Sequence, residues 1–230
     1  MKTPYSNSSL ARGFTLVELL VVVGIMAAML SVAAIGIQNV DKGQATVTGI
    51  AQTQALMDEA RSLAIGRGTR ARLCIHANPN EEERNLRLMV VAYEEIQRDA
   101  GGNPTGTRWR VDSRGTYLPT GVFFHPRFSQ LASDQVNGLG TYGSNGSGVT
   151  FPGSSRNAVR QPNYFYYEFN SEGLCTSATA TNPGAAFVLC RGISGPGTTE
   201  PRVVGNDISG FITWRNGRTS AIRNTNFLTR

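Results

Sequence analysis

Arg12-Gly13-Phe14-Thr15-Leu16-Val17-Glu18-Leu19-Leu20 joins a short basic leader to a long apolar run that carries one glutamate near its start. From Leu19 to Val40 no residue is charged, a length sufficient to cross a bilayer as a helix. A carboxylate at the centre of such a helix costs about 2.5–3.5 kcal/mol. Glu18 sits near the edge, where the cost is lower, but it still needs a partner. A new α-amino group, released by a cut between Gly13 and Phe14, would supply one. That reading gives the leader, the glycine and the glutamate one shared explanation.

Gly13-Phe14-Thr15-Leu16-Val17-Glu18 resembles the processing signal of type IV prepilins and pseudopilins. The resemblance implies that a prepilin peptidase cuts after Gly13 and methylates the new N-terminal residue, Phe14. It also implies that Glu18 pairs with the N-terminus of a neighbouring subunit during filament assembly. Two other readings of the segment stay open. A secretory signal peptide has an apolar region of about 7–15 residues followed by a small-residue cleavage site. Here the run is longer and opens with an acid. A plain single-pass anchor would leave Glu18 unexplained.

Residues 1–13 are read as the leader, and their removal leaves 217 of the 230 residues. That is one domain with an anchor, large enough to bury a core. The formal charge falls from +6 to +4, because the leader carries Lys2 and Arg12 and no acid. Positive charge ahead of the apolar run puts the N-terminus in the cytoplasm and the C-terminal head across the inner membrane. Apart from Lys2 and Lys42 every basic residue is arginine, which suits bidentate pairing with acidic groups and equally a solvated surface. Three cysteines allow at most one bridge. Cys175 and Cys190 flank a loop and can pair in an oxidising compartment, a closure worth roughly 3 kcal/mol. Cys74 lies in an alternating strand pattern and reads as a buried thiol.

The expected fold is α+β, a long helix packed on an antiparallel sheet. Residues 14–40 are the transmembrane and filament-core part, and 41–67 continue the helix as an amphipathic segment. Val47, Ile50, Ala51, Met57, Ala60, Leu63 and Ala64 fall on or near one face. Gly66 and Gly68 are stop signals, and Arg61 and Arg67 suit the helix C-terminus. A helix from Phe14 to Gly66 would be a rod of about 80 Å. Gly24, Gly36, Gly43 and Gly49 are either soft points or close-packing positions. From residue 68 to 230 the period is that of strands. Runs at Arg70–His76, Leu86–Glu94, Arg108–Asp112, Gly121–His125, Tyr164–Asn170, Ala186–Arg191 and Phe211–Arg215 are bounded by turn residues. Asn216-Gly217 then predicts a two-residue hairpin into Arg218–Ile222. Residues 129–162, rich in Gly, Ser and Asn, read as a long projecting loop.

Ala60–Gly68, Phe169–Gly173 and the terminal hairpin resemble the H-type group of minor pseudopilins and minor pilins. The absence of proline between Phe14 and Gly68 points the same way. No catalytic constellation is present, so a membrane-anchored periplasmic enzyme is a remote alternative. His76 and His125 lack metal-ligand spacing, Asp134 and Asn137 lack that of a calcium loop, and Glu81-Glu82-Glu83 reads as a solvated turn. No cofactor or metal is expected. Arg215, Arg218, Arg223 and Arg230, interleaved with Trp214 and Phe227, make DNA contact the alternative binding function. An edge hairpin charged against strand addition explains the same residues. The expected function is a structural subunit of a type IV pilus-like or type II secretion filament. Its expected partners are the prepilin peptidase, other pilin-like subunits and inner-membrane lipid.

Overall fold

The computed structural model describes residues 15–112, 114–129, 139–140, 143–145, 164–177 and 184–222, with side chains except in 32–43, 139–140, 143–145 and at 206. Helix α1 spans Leu16–Arg67. The chain forms two compact units, Met1–Lys42 and Gly43–Arg230, and α1 contributes to both.

In the second unit, the head, the buried stripe of α1 is Thr46, Gly49, Thr53, Leu56, Met57, Ala60 and Ala64. Steps of three and four residues place them on one face. Val47 and Ala51, expected on that face, are exposed instead. The stripe was hard to read because two of its members are threonines, whose hydroxyls find partners inside the head. Thr53 Oγ1 donates to the Gly49 carbonyl at 2.8 Å, and Thr46 Oγ1 to Asp207 Oδ2 at 2.9 Å. Gly49 is a close-packing position: a Cβ there would lie 3.0 Å from Leu189 Cδ1. The stop is Gly68 (φ +64°), with Gly68 N–H on Ile65 O and Thr69 N–H on Ala64 O, both at 3.2 Å. This is a Schellman ending, and Gly66 lies inside the helix.

The strands are β1 (Ala71–His76), β2 (Leu88–Arg98), β3 (Pro104–Val111), β4 (Thr116–Tyr117), β5 (Val122–Phe124), β6 (Leu139–Gly140), β7 (Gly143–Asn145), β8 (Tyr164–Phe169), β9 (Gly184–Ile193), β10 (Arg202–Trp214) and β11 (Thr219–Ala221). They form two sheets. One has the order β3-β2-β1-β8-β7, with β4 on β2; the other has the order β11-β10-β9-β5, with β6 on β9. All pairs are antiparallel except β6 with β9. Within 129–162, Ser129 ends a short helix α2 (Pro126–Ser129), and β6 and β7 are short strands. Residues 130–138, 141–142 and 146–162 lie outside the described residues, as do Asp134 and Asn137.

The main core joins the α1 stripe to both sheets. Leu73, Ile75, Met89, Val91, Tyr167 and Phe169 come from the first sheet, and Phe124, Phe187, Leu189 and Phe211 from the second. Burying each such side chain stabilises the head by about 1.5–3 kcal/mol. Phe187 is the hub, with ring centroids of Phe124, Phe211 and Tyr167 at 5.0, 5.1 and 5.4 Å. The Tyr167 hydroxyl donates across the sheets to the Ala186 carbonyl.

A second, smaller cluster covers the other face of the first sheet: Cys74, Leu88, Val90, Ala92 and Tyr164, with Trp109, Val111 and Tyr166 packed on it. Alternation along β1 puts Arg72 on this face too. Its guanidinium carbon lies 3.9 Å from the ring centroids of both Trp109 and Tyr166, and Arg72 Nε donates to Glu168 Oε2 at 2.7 Å. Arg72 and Glu168 are both buried.

His125 opens α2. Its Nδ1 accepts the Phe128 N–H at 3.2 Å, and its ring stacks on Phe128 at 3.8 Å. Burial, helped by the positive charge of Arg127, pulls its pKa from 6.5 to about 4. Between those values the unfolded chain binds more protons than the head, so stability falls as pH drops through this window. Urea unfolding midpoints are expected to decline from pH 6.5 to 5, above the carboxylate range. His125→Gln should flatten that stretch of the profile.

Candidate functional site

α1 starts at Leu16 because Thr15 caps it. The Leu19 N–H bonds the Thr15 carbonyl at 3.2 Å, and the Glu18 N–H reaches Thr15 Oγ1 at 3.3 Å. Thr15-Leu16-Val17-Glu18 has the spacing of a capping box, and its carboxylate lies in the first turn, where the helix dipole favours negative charge. This cap was legible in the threonine-to-glutamate spacing but is easily passed over beside the cleavage signal. It matters most in lipid, where an unpaired backbone N–H has no water to bond.

Every described residue from Thr15 to Ser31 is exposed, Leu16 at 79% and Leu30 at 71%. Glu18 therefore stands as the single charge in an apolar surface that no described residue covers. A continuous apolar surface of this kind marks a face for lipid or for other helices. Among the described residues no helix is long and apolar enough to cross a membrane, and the described side chains of the apolar run end at Ser31. Gly13 and Phe14, the expected cleavage and methylation positions, lie outside the described residues.

In the head, three segments quoted above meet at one junction. Arg61 Nε donates to the Gly173 carbonyl at 3.2 Å, and Gln54 Nε2 donates to Thr219 Oγ1 at 3.2 Å. Asn170 Oδ1 holds the connecting turn by accepting the N–H groups of Glu172 and Leu174. Gly173 and Gly217 both have positive φ and no room for a side chain. A Cβ on Gly173 would lie 2.6 Å from Ile65 Cδ1, and one on Gly217 would lie 2.6 Å from Arg61 Cδ. The helix end, the turn after β8 and the last hairpin are thus locked together.

The hairpin differs from expectation. Asn216 is not among the positive-φ residues, which rules out the two-residue turn that requires φ > 0 at both positions. Trp214 N–H bonds Arg218 O, Gly217 N–H bonds Trp214 O, and Gly217 has φ +77°. The loop is therefore the three-residue kind, a tight turn closed by a left-handed glycine. Arg215 and Arg218 stand exposed at its tip, while the Trp214 indole donates to Ser220 Oγ at 2.8 Å. Arg223, Phe227 and Arg230 lie outside the described residues.

The expected Cys175–Cys190 bridge is corrected by register. Cys175 N–H bonds the Arg215 carbonyl, whereas Cys190 lies opposite Ile208. Ile208 and Arg215 are seven residues apart along one strand, about 23 Å, whereas a disulfide holds its Cα atoms within about 7 Å. Cys190 is a buried free thiol, as is Cys74. Burial, with the nearby Asp207 carboxylate, pushes the Cys190 thiol up to about 12, so it is inert as a nucleophile.

Asp207 itself was not foreseen. Between Val203 and Ile208 the β9–β10 register shifts, and Gly205 turns through φ +72°. This bulge aims Asp207 at the buried Thr46 of α1. Among the described residues no group of three or more His, Cys, Asp or Glu could hold a metal ion.

Residues 8–34 match the family model described as the prokaryotic N-terminal methylation motif. The match spans Gly13-Phe14, the Thr15 cap, Glu18 and the exposed apolar surface to Ser31. No curated protein and no solved structure matches the chain. In this N-terminal segment the chain is similar to proteins that carry the prokaryotic N-terminal methylation motif.

Proposed function

We propose that the protein is a minor subunit of a type IV pilus-like or type II secretion filament, of the H-type group. Prepilin peptidase removes residues 1–13 and methylates Phe14. Residues 14–40 anchor the precursor in the inner membrane, N-terminus inside, and then join the helical core of the filament. The observation that carries this reading is the capped helix start, where Glu18 is the single charge on an apolar surface directly after Gly13-Phe14. A carboxylate there is costly in lipid, and the α-amino group released at Phe14 of a neighbouring subunit would offset that cost.

Gly13→Leu tests the processing step. A bulky side chain before the cut blocks close approach of the peptidase, so uncut precursor should accumulate in the membrane fraction. Full processing of that variant, seen as an unchanged mature mass, would contradict the assignment of the cleavage site.

A second reading, DNA contact during uptake, is favoured by the exposure of Arg215 and Arg218 at the tip of β10–β11. It is weakened by Trp214, which is half-buried and has its N–H bonded, and so makes a poor stacking platform.

A further inference from the structure

The outermost strands of the two sheets differ sharply in length. β5, β7 and β11 have three residues each, which blunts those edges. β3 has eight, and it is the end strand of its sheet. Its residues 104–108 and 110 are exposed, with Trp109 and Val111 half-buried.

The ladder shows which backbone groups of β3 face outward. Asp112 N–H bonds the Val91 carbonyl, and the register pairs Arg110 with Tyr93, Arg108 with Glu95 and Gly106 with Gln97. Bonded and non-bonded pairs alternate in an antiparallel ladder, so these three residues bond inward to β2. Glu94 agrees with this phase, since its N–H bonds Arg70 O on the β1 side. Thr107, Trp109 and Val111 therefore turn their N–H and C=O groups away from the sheet, whereas Thr105 sits in a bulge between the Gln97 and Arg98 pairs. None of the three is charged or proline, and all three types favour strands. Among the described residues no strand pairs with that edge.

The charges nearby do little to protect it. Arg108 and Arg110 both bond Glu95, at 2.7 and 3.2 Å, so two guanidinium groups share one carboxylate. An acidic residue on an added strand would give one of these guanidinium groups a carboxylate of its own.

We propose that the outward edge of β3 takes up an extended strand, with a carboxylate set against Arg108 and Arg110, from a neighbouring subunit of the filament. The inference rests on the filament reading above. Backbone pairing along Thr107, Trp109 and Val111 supplies the contact, and the shared acid fixes its register. A contact of one edge with a different segment of the neighbouring subunit is heterologous, so it does not close into a dimer and is compatible with a filament.

Two measurements on the full chain test this. Amide exchange of the detergent-solubilised protein is compared with that of filaments: the outward amides of Thr107, Trp109 and Val111 should slow by about tenfold or more on assembly. Thr107→Pro removes one outward N–H and the Thr107 side-chain bond to Glu94 while leaving the backbone bonds to β2, a placement that edge strands tolerate. It should keep the detergent-state exchange of β1 and enter filaments about tenfold less. Equal exchange of these three amides in detergent and filament would overturn the proposal, and so would normal incorporation of a folded Thr107→Pro protein. If that variant loses β1 protection, the wild-type comparison alone decides. Wild-type protein that never enters a filament would sink the filament reading and this inference together. Wild-type filaments with fast edge amides would sink only the inference.

Discussion

Glu18→Ala is expected to leave processing and membrane insertion intact while reducing incorporation into filaments by about tenfold or more. A tenfold loss corresponds to about 1.4 kcal/mol, small beside what a charge pair contributes in a low-dielectric helix core. The effect should not come from a damaged helix, because Thr15 caps through the backbone N–H of residue 18, which alanine keeps. Alanine also removes a charge from lipid, so insertion should improve slightly. Quantitative immunoblots of sheared filaments against membranes separate the two effects. Alanine protein that incorporates as well as wild type would remove the pairing role.

Glu168→Ala is expected to destabilise the head by about 3–5 kcal/mol, because it strands a buried guanidinium. Arg72 has Glu168 as its carboxylate partner at 2.7 Å, and its further bond, to Tyr164 OH, is 3.4 Å long. Glu168 also accepts from Thr176 Oγ1 and lies 3.7 Å from Arg70, so its loss unsettles both flanks of β8. Replacing the pair together, as Arg72→Met with Glu168→Leu, should recover much of the loss, since the two chains then need no partner. Denaturant midpoints of the solubilised protein give both numbers. A single alanine variant within about 0.5 kcal/mol of wild type would show that aromatic stacking alone holds Arg72.

Much of the architecture was legible because its signals are local. The apolar run, the Gly68 ending and the cores of β1, β2, β5, β8 and β9 follow from periodicity and turn residues within short windows. The first half of β10 was not legible. Gly205, Asp207 and Gly210 interrupt a strand period, yet a bulge and close strand contacts require them: a Cβ on Gly210 would lie 2.7 Å from Phe187 O. The division into two sheets was also hidden, because it depends on long-range pairings that no local pattern encodes. At the candidate site, Glu18 was legible from charge in an apolar context alone. The Arg61 junction was quoted as three separate segments, and only the fold shows that they touch. The cysteine pairing failed for the same reason: proximity in sequence said nothing about seven residues of separation along β10.

The central claim is that Gly13-Phe14 is a processing site that turns this chain into a filament subunit, and the intact mass of the protein from purified filaments tests it most directly. The account predicts a chain beginning at Phe14, lacking residues 1–13 and carrying one added methyl group. Filament protein that still carries its leader, or that begins anywhere other than Phe14, would contradict it.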